Sequence, residues 1–146
     1  MTFERTTSKC SECPLASRNR VWGQGSFESG IAVCGEAPGA DEDRTGTPFI
    51  GRAGQTLRAG LAATGTNPDT VWYLNLIACR PPDNDLGGFE GAEARKACRP
   101  GFDAELKFLE SNGIRVIIAA GAYPAARFGV ESSISKARGS VYEYST

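Results

Sequence analysis

Three short apolar runs set the outline of this chain: "IAVC" at residues 31–34, "VWYLNLI" at 71–77 and "RVIIAA" at 115–120. Each is too short for a buried helix, and their β-branched and aromatic content suits strands covered on both faces. Helical patterns lie between them. Leu57 and Leu61 stand four apart in a segment over 53–64, and Gly65 is placed to cap its end. Phe102, Leu106 and Leu109 form the stripe of a longer segment over 92–112, stopped by Gly113. Pro100 falls inside that segment and predicts a kink or a restart. Residues 122–128 read as a further short helix, 140–144 as a last strand, and "RVIIAA" as the clearest buried strand. Strands separated by helices imply parallel crossovers with helices on both sheet faces. The expectation is a single α/β domain over residues 1–146 that binds ligands beyond the C-terminal ends of its strands. Three loops converge there: 35–51, 79–91 and the turn at Gly121.

The first of these loops lies within "VCGEAPGADEDRTGTPFIGRAG", residues 33–54, rich in Gly and Pro and carrying four carboxylates. Glycine loses much conformational entropy on folding, and clustered carboxylates repel one another. So costly a loop at the end of a buried strand reads as a site. With net charge −1 and a pI near 5.5, the chain lacks a strongly basic footprint; a local patch is still open to it. No run reaches the ~18 apolar residues of a membrane span. The polar N-terminus shows no signal peptide, so the reading is cytoplasmic. There is no histidine, which removes Ser-His-Asp, Cys-His and His-metal chemistry from this chain alone.

Five cysteines are present. Cytosolic thiols stay reduced, which argues against a disulfide framework. Cys10 and Cys13 form C-x-x-C in "KCSECPL", Cys79 ends the second apolar run, and Cys98 sits in "ARKACRPGF". Four sulfurs suit zinc or an iron–sulfur cluster, and one close pair with two scattered partners suits the cluster somewhat better. The plain alternative is four unrelated buried thiols. Cys34 lies inside a strand and reads as core.

"CSECPLASRNRVWGQG", "VCGEAPGADEDRTGTPFIGRAGQTLRAGL", "WYLNLIACRPP", the cysteine of "ARKACRP", "VIIAAGAYPAARF" and "ISKARG" follow in the order seen in iron–sulfur (family 4 type) uracil-DNA glycosylases, which the chain resembles over nearly its whole length. The resemblance implies a three-layer α/β/α sandwich around a four-stranded parallel sheet. It implies a [4Fe–4S] cluster on Cys10, Cys13, Cys79 and Cys98. It implies an enzyme of base excision repair, a hydrolase of N-glycosyl bonds that flips deoxyuridine into a pocket. By motif match Glu36 is the active-site carboxylate, Phe49 the uracil-stacking ring and Asn75 the reader of the uracil edge, with Gly35 beside them as a substrate-binding position. Taken without the resemblance, Glu36 reads as a turn residue and Phe49 as a core anchor.

The family's late "HPS" motif and C-terminal segment have no counterpart before the chain ends at "RGSVYEYST". An alternative reading is therefore a catalytically weak or inactive Fe–S module that binds DNA or a partner; a further one is a zinc-stabilised α/β domain with another ligand. Lys9, Arg18 and Arg20 flank the first cysteine pair, and Arg95, Lys96 and Arg99 surround Cys98, so one metal centre would gather them into a basic patch for DNA, with Arg138 of "ISKARG" added by the resemblance. The expected partners are uracil-containing DNA, single- or double-stranded, and a replication or repair protein, the chain acting as a monomer away from membranes.

Overall fold

The structure, a computed structural model, describes residues 1–145. Its sheet has five strands: β1 (Thr2–Phe3), β2 (Gly23–Gly25), β3 (Ile31–Gly35), β4 (Trp72–Asn75) and β5 (Val116–Ala119), in the order β1-β2-β4-β3-β5. β3 runs parallel to β4 and β5, whereas β2 pairs antiparallel with β4 and β1 antiparallel with β2. The expected four-stranded parallel sheet is thus corrected to a five-stranded mixed one. The extra strands come from the N-terminal segment. They are two and three residues long, and "GQG" carries no β-propensity, so only pairing to the edge of β4 makes them strands.

Two further readings change. Residues 140–144 form no strand; Tyr144 instead packs edge-on against Phe128 at 5.0 Å, and its hydroxyl accepts a hydrogen bond from Arg127 Nη1 at 3.2 Å. β5 is an edge strand rather than a buried one, with Val116 52 % exposed.

The helices are α1 (Ala40–Thr45), α2 (Arg52–Ala63), α3 (Phe89–Ser111), α4 (Ala122–Arg127) and α5 (Ile134–Ala137). They cover both faces of the sheet, as alternation along the strands requires. Ala32, Cys34, Trp72 and Leu74 pack with Ala94, Phe102, Leu106 and Leu109 of α3. Val33, Val71 and Tyr73 pack with Leu57 and Leu61 of α2 on the other face. Among the described residues, no helix is long and apolar enough to cross a membrane.

α3 runs unbroken through Pro100, against the expected restart. The N-terminal segment is fastened along this helix: the Lys9 amide donates to Ala97 O at 2.8 Å, Ser8 Oγ to Cys98 O at 3.3 Å and Thr7 Oγ1 to Pro100 O at 3.2 Å. Arg5 is buried beneath it. Its Nε donates to Glu105 Oε2 at 2.8 Å, and Glu105 Oε1 accepts from Trp72 Nε1 at 2.9 Å. Gly101 lets the two segments meet, since a Cβ there would collide with Ser8 Oγ and stand 2.5 Å from Arg5 Cβ. Alanine in place of glycine ordinarily favours a helix by about 1 kcal/mol. Here overpacking of about 1–3 kcal/mol opposes that gain. Gly101→Ala is expected to lower stability in urea unfolding, and a gain would contradict the close approach.

Candidate active site

The C-terminal ends of the three parallel strands are zipped together by backbone bonds. The Leu76 amide donates to Gly35 O at 2.9 Å, Ile77 to Glu36 O at 3.3 Å and Ala120 to Cys34 O at 2.8 Å. Gly35 and Asn75 are register partners across β3 and β4. A Cβ built on Gly35 would stand 2.5 Å from Asn75 Oδ1 and 2.6 Å from Phe49 Cζ. The structure therefore brings Gly35, Phe49 and Asn75 together at a point that tolerates no side chain on residue 35. Glu36 lies alongside: its Oε1 would be 2.6 Å from a Cβ on Gly121, at the start of α4. Asn75 is only 5 % exposed, yet among the described residues its side-chain amide makes no hydrogen bond to the protein, nor does the Glu36 carboxylate. An amide left without a protein partner at the end of a strand is open to a ligand.

Phe49 adopts φ 57°, a left-handed conformation that a bulky side chain adopts only under constraint. Three groups supply that constraint. Arg58 Nε donates to Phe49 O at 2.8 Å while its guanidinium lies 4.0 Å over the Tyr73 ring. Gly54 packs directly on the Phe49 backbone. The buried Glu42 carboxylate accepts from the Gly39 amide at 3.0 Å, Ile50 at 3.0 Å and Gly51 at 2.5 Å. Glu42 thus clasps the two ends of the loop around α1. Tyr73 backs the Phe49 ring at 5.6 Å, and its hydroxyl donates to Pro68 O at 2.7 Å.

Cys10, Cys13, Cys79 and Cys98 line one cavity, together with Leu15, Ile77 and Ala97. No three His, Cys, Asp or Glu among the described residues form a group that could hold a metal ion. Burial pushes the Cys79 thiol up to about 11, with Cys98, Cys13 and Cys10 adding to the rise, and burial likewise raises Cys13. Sulfur also receives hydrogen bonds here, from the Leu15 amide to Cys13 Sγ at 3.4 Å and from Arg5 Nη1 to Cys98 Sγ at 3.5 Å. Cys34 lies apart, fully buried in the core, where burial raises its thiol to about 12.

The basic residues are spread. The Lys9 amide bonds to Ala97 O, the residue after Lys96, Arg99 pairs with Asp103 at 3.8 Å, and Lys9, Lys96 and Arg18 are exposed. Arg20 turns inward, donating to Ala16 O at 2.6 Å and Arg18 O at 2.9 Å. Arg95 stacks on Tyr123 at 4.6 Å, and Arg138 stands exposed at the end of α5. Sequence reasoning missed Glu42, Arg58 and Arg5. Glutamate three residues after Gly39, at the start of a helix, was the one available signal, a capping pattern. Glu42→Ala leaves three amides without their acceptor. It is expected to cost about 2–3 kcal/mol, read as a lower urea midpoint; an unchanged midpoint would refute the clasp.

Residues 22–144 match the model of the uracil DNA glycosylase superfamily. The chain is similar to the type-4 uracil-DNA glycosylase of Thermotoga maritima, with 36 % identity over 93 % of this chain and 70 % of the relative. It is 40 % identical to that of Pyrobaculum aerophilum over 77 % of this chain and 55 % of the relative. With that of Archaeoglobus fulgidus it shares 35 % identity over 95 % of this chain and 70 % of the relative. A chain that carries the GEAPG loop, the Phe49 turn and Asn75 on one mixed α/β frame, with these relatives, belongs to the uracil DNA glycosylase superfamily.

Proposed function

We propose that this chain removes uracil from DNA by hydrolysing the bond between the base and its deoxyribose. The observation that carries the reading is the Asn75 amide, buried, without a protein partner, and facing the Phe49 ring across the bare surface of Gly35. An extruded base is read by hydrogen bonds to its Watson–Crick edge and by stacking. The amide offers a donor to uracil O4 and an acceptor to N3–H, and the ring offers a face. The names of the relatives point the same way.

When the C1′–N1 bond breaks, its electron pair passes to uracil N1 and positive charge grows on the sugar. The Glu36 carboxylate, unpaired at the end of β3, is placed to stabilise that charge, orient a water toward C1′ and take its proton. This chain has no histidine, so the departing uracil anion meets amide N–H donors, Asn75 Nδ2 among them.

The cysteine cavity fits the [4Fe–4S] cluster implied for such proteins. One zinc at about 2.3 Å from each sulfur would draw the four sulfurs to within roughly 4 Å of one another. A cluster of several metals takes the same four-sulfur donor set around a cavity such as this one. Thiols raised by burial and by one another need cationic compensation to become thiolates, and N–H donors to sulfur support them. Cys10, Cys13, Cys79 and Cys98 would hold the cluster, which ties the N-terminal segment to β4 and α3. Lys9 and Lys96 beside it, with Arg18 and Arg138, would meet DNA phosphates.

Uracil-containing single-stranded oligonucleotides incubated with excess protein should yield abasic sites. Glu36→Ala and Asn75→Ala should each slow their formation by roughly 10²-fold or more. Iron-loaded protein that binds the oligonucleotide for hours without producing abasic sites would overturn the reading. Elemental analysis of anaerobically purified protein should give about four irons per chain. Cys98→Ser should lower that figure and Cys34→Ser leave it; one zinc and no iron would refute the cluster.

A further inference from the structure

Arg5 holds the cysteine cavity and the pocket strand in a single guanidinium. Its Nη2 donates to Asn75 O, and its Nη1 to Leu76 O at 2.9 Å and to Cys98 Sγ at 3.5 Å. Its Nε is paired with Glu105 at 2.8 Å, and the side chain is 1 % exposed. Burial opposes its charge, but Glu105 and then Cys98 outweigh that, so the cation is held firmly. Asn75 carries the pocket amide, and the Leu76 amide donates to Gly35 O at 2.9 Å. Four of the five guanidinium N–H groups are thus used on β4, α3 and a cysteine at once. Lysine has no fork to repeat this geometry.

We infer that Arg5 is a positioning residue that couples Cys98 to the Asn75 end of β4, so that filling of the cysteine centre sets the order of the strand end that carries Asn75. With Cys98 held by the centre, its sulfur fixes the guanidinium through the Arg5 bond. The carbonyls of Asn75 and Leu76 are then fixed with it, and the Asn75 amide is presented at one height above Gly35. With the centre emptied, the Cys98 side chain is free to turn, and Arg5 loses one of its four anchors.

The test is hydrogen exchange at the Leu76 and Ile77 amides, which donate to Gly35 O and Glu36 O. Val33 and Cys34 in β3 serve as internal references. In iron-loaded Arg5→Lys, exchange at Leu76 and Ile77 should quicken roughly tenfold while the references hold. Removing iron from the parent chain should do the same, and removing it from Arg5→Lys should add nothing, as two steps on one link do. Should Arg5→Lys fail to fold, the pair Arg5→Met with Glu105→Gln removes both buried charges and answers the same question. Parent-like exchange at Leu76 and Ile77, or a rise shared equally by Val33 and Cys34, would overturn the coupling. So would an iron effect undiminished in the variant.

The second readout rests on the uracil reading. Free uracil should bind the iron-loaded variant roughly tenfold more weakly than the parent. Equal affinity would overturn the positioning role. A parent chain that binds no uracil, yet shows the exchange pattern, would remove the glycosylase reading and leave the Arg5 link standing.

Discussion

The buried ion pair between Arg5 and Glu105 is the point on which the rest of the structure hangs. Both side chains are out of water, at 1 % and 0 % exposed. Such a pair is tolerable only when its geometry is good and its remaining donors and acceptors are satisfied. Here they are satisfied by distant parts of the chain: Trp72 Nε1 on β4, the carbonyls of Asn75 and Leu76, and Cys98 on α3. Gly23 of β2 lies directly over the Glu105 carboxylate, with no room for a side chain. No apolar contact would require the N-terminal segment, the sheet and the long helix to meet in one register. A buried charge does, because every misplaced partner leaves it uncompensated.

The parallel heart of the fold was legible because its signals are local. Three apolar runs with helical patterns between them carry β3, β4 and β5. The candidate residues Glu36 and Asn75 come from motifs at strand ends and Phe49 from the stretch between α1 and α2, and the structure brings Gly35, Phe49 and Asn75 together. What escaped was non-local. β1 and β2 become strands only by pairing with β4. Arg5 and Glu105 are a hundred positions apart, and each alone reads as a surface charge. "SVYEY" has strand-like residues but lies off the sheet, with Tyr144 drawn to Phe128 and Arg127.

The acidic loop shows how little residue type settles. Glu36 and Glu42 stand six positions apart, the first just past β3 and the second in α1. Glu42 is 9 % exposed and spends its oxygens on three backbone amides. Glu36 keeps its carboxylate unspent over Gly121. The first is a part of the backbone's hydrogen bonding in all but name; the second is available to chemistry. The repulsion expected of clustered carboxylates is offset at Glu42, whose charge is met by three amide N–H groups.

Phe49 sits in its left-handed turn by virtue of Arg58, Gly54 and Glu42, none of which needs a base to be present. The stacking face is preorganised. Ordering of a loop is then not subtracted from the binding energy of an arriving base. On the proposed reading, recognition is a gauge set during folding, built into the Phe49 turn before a base arrives.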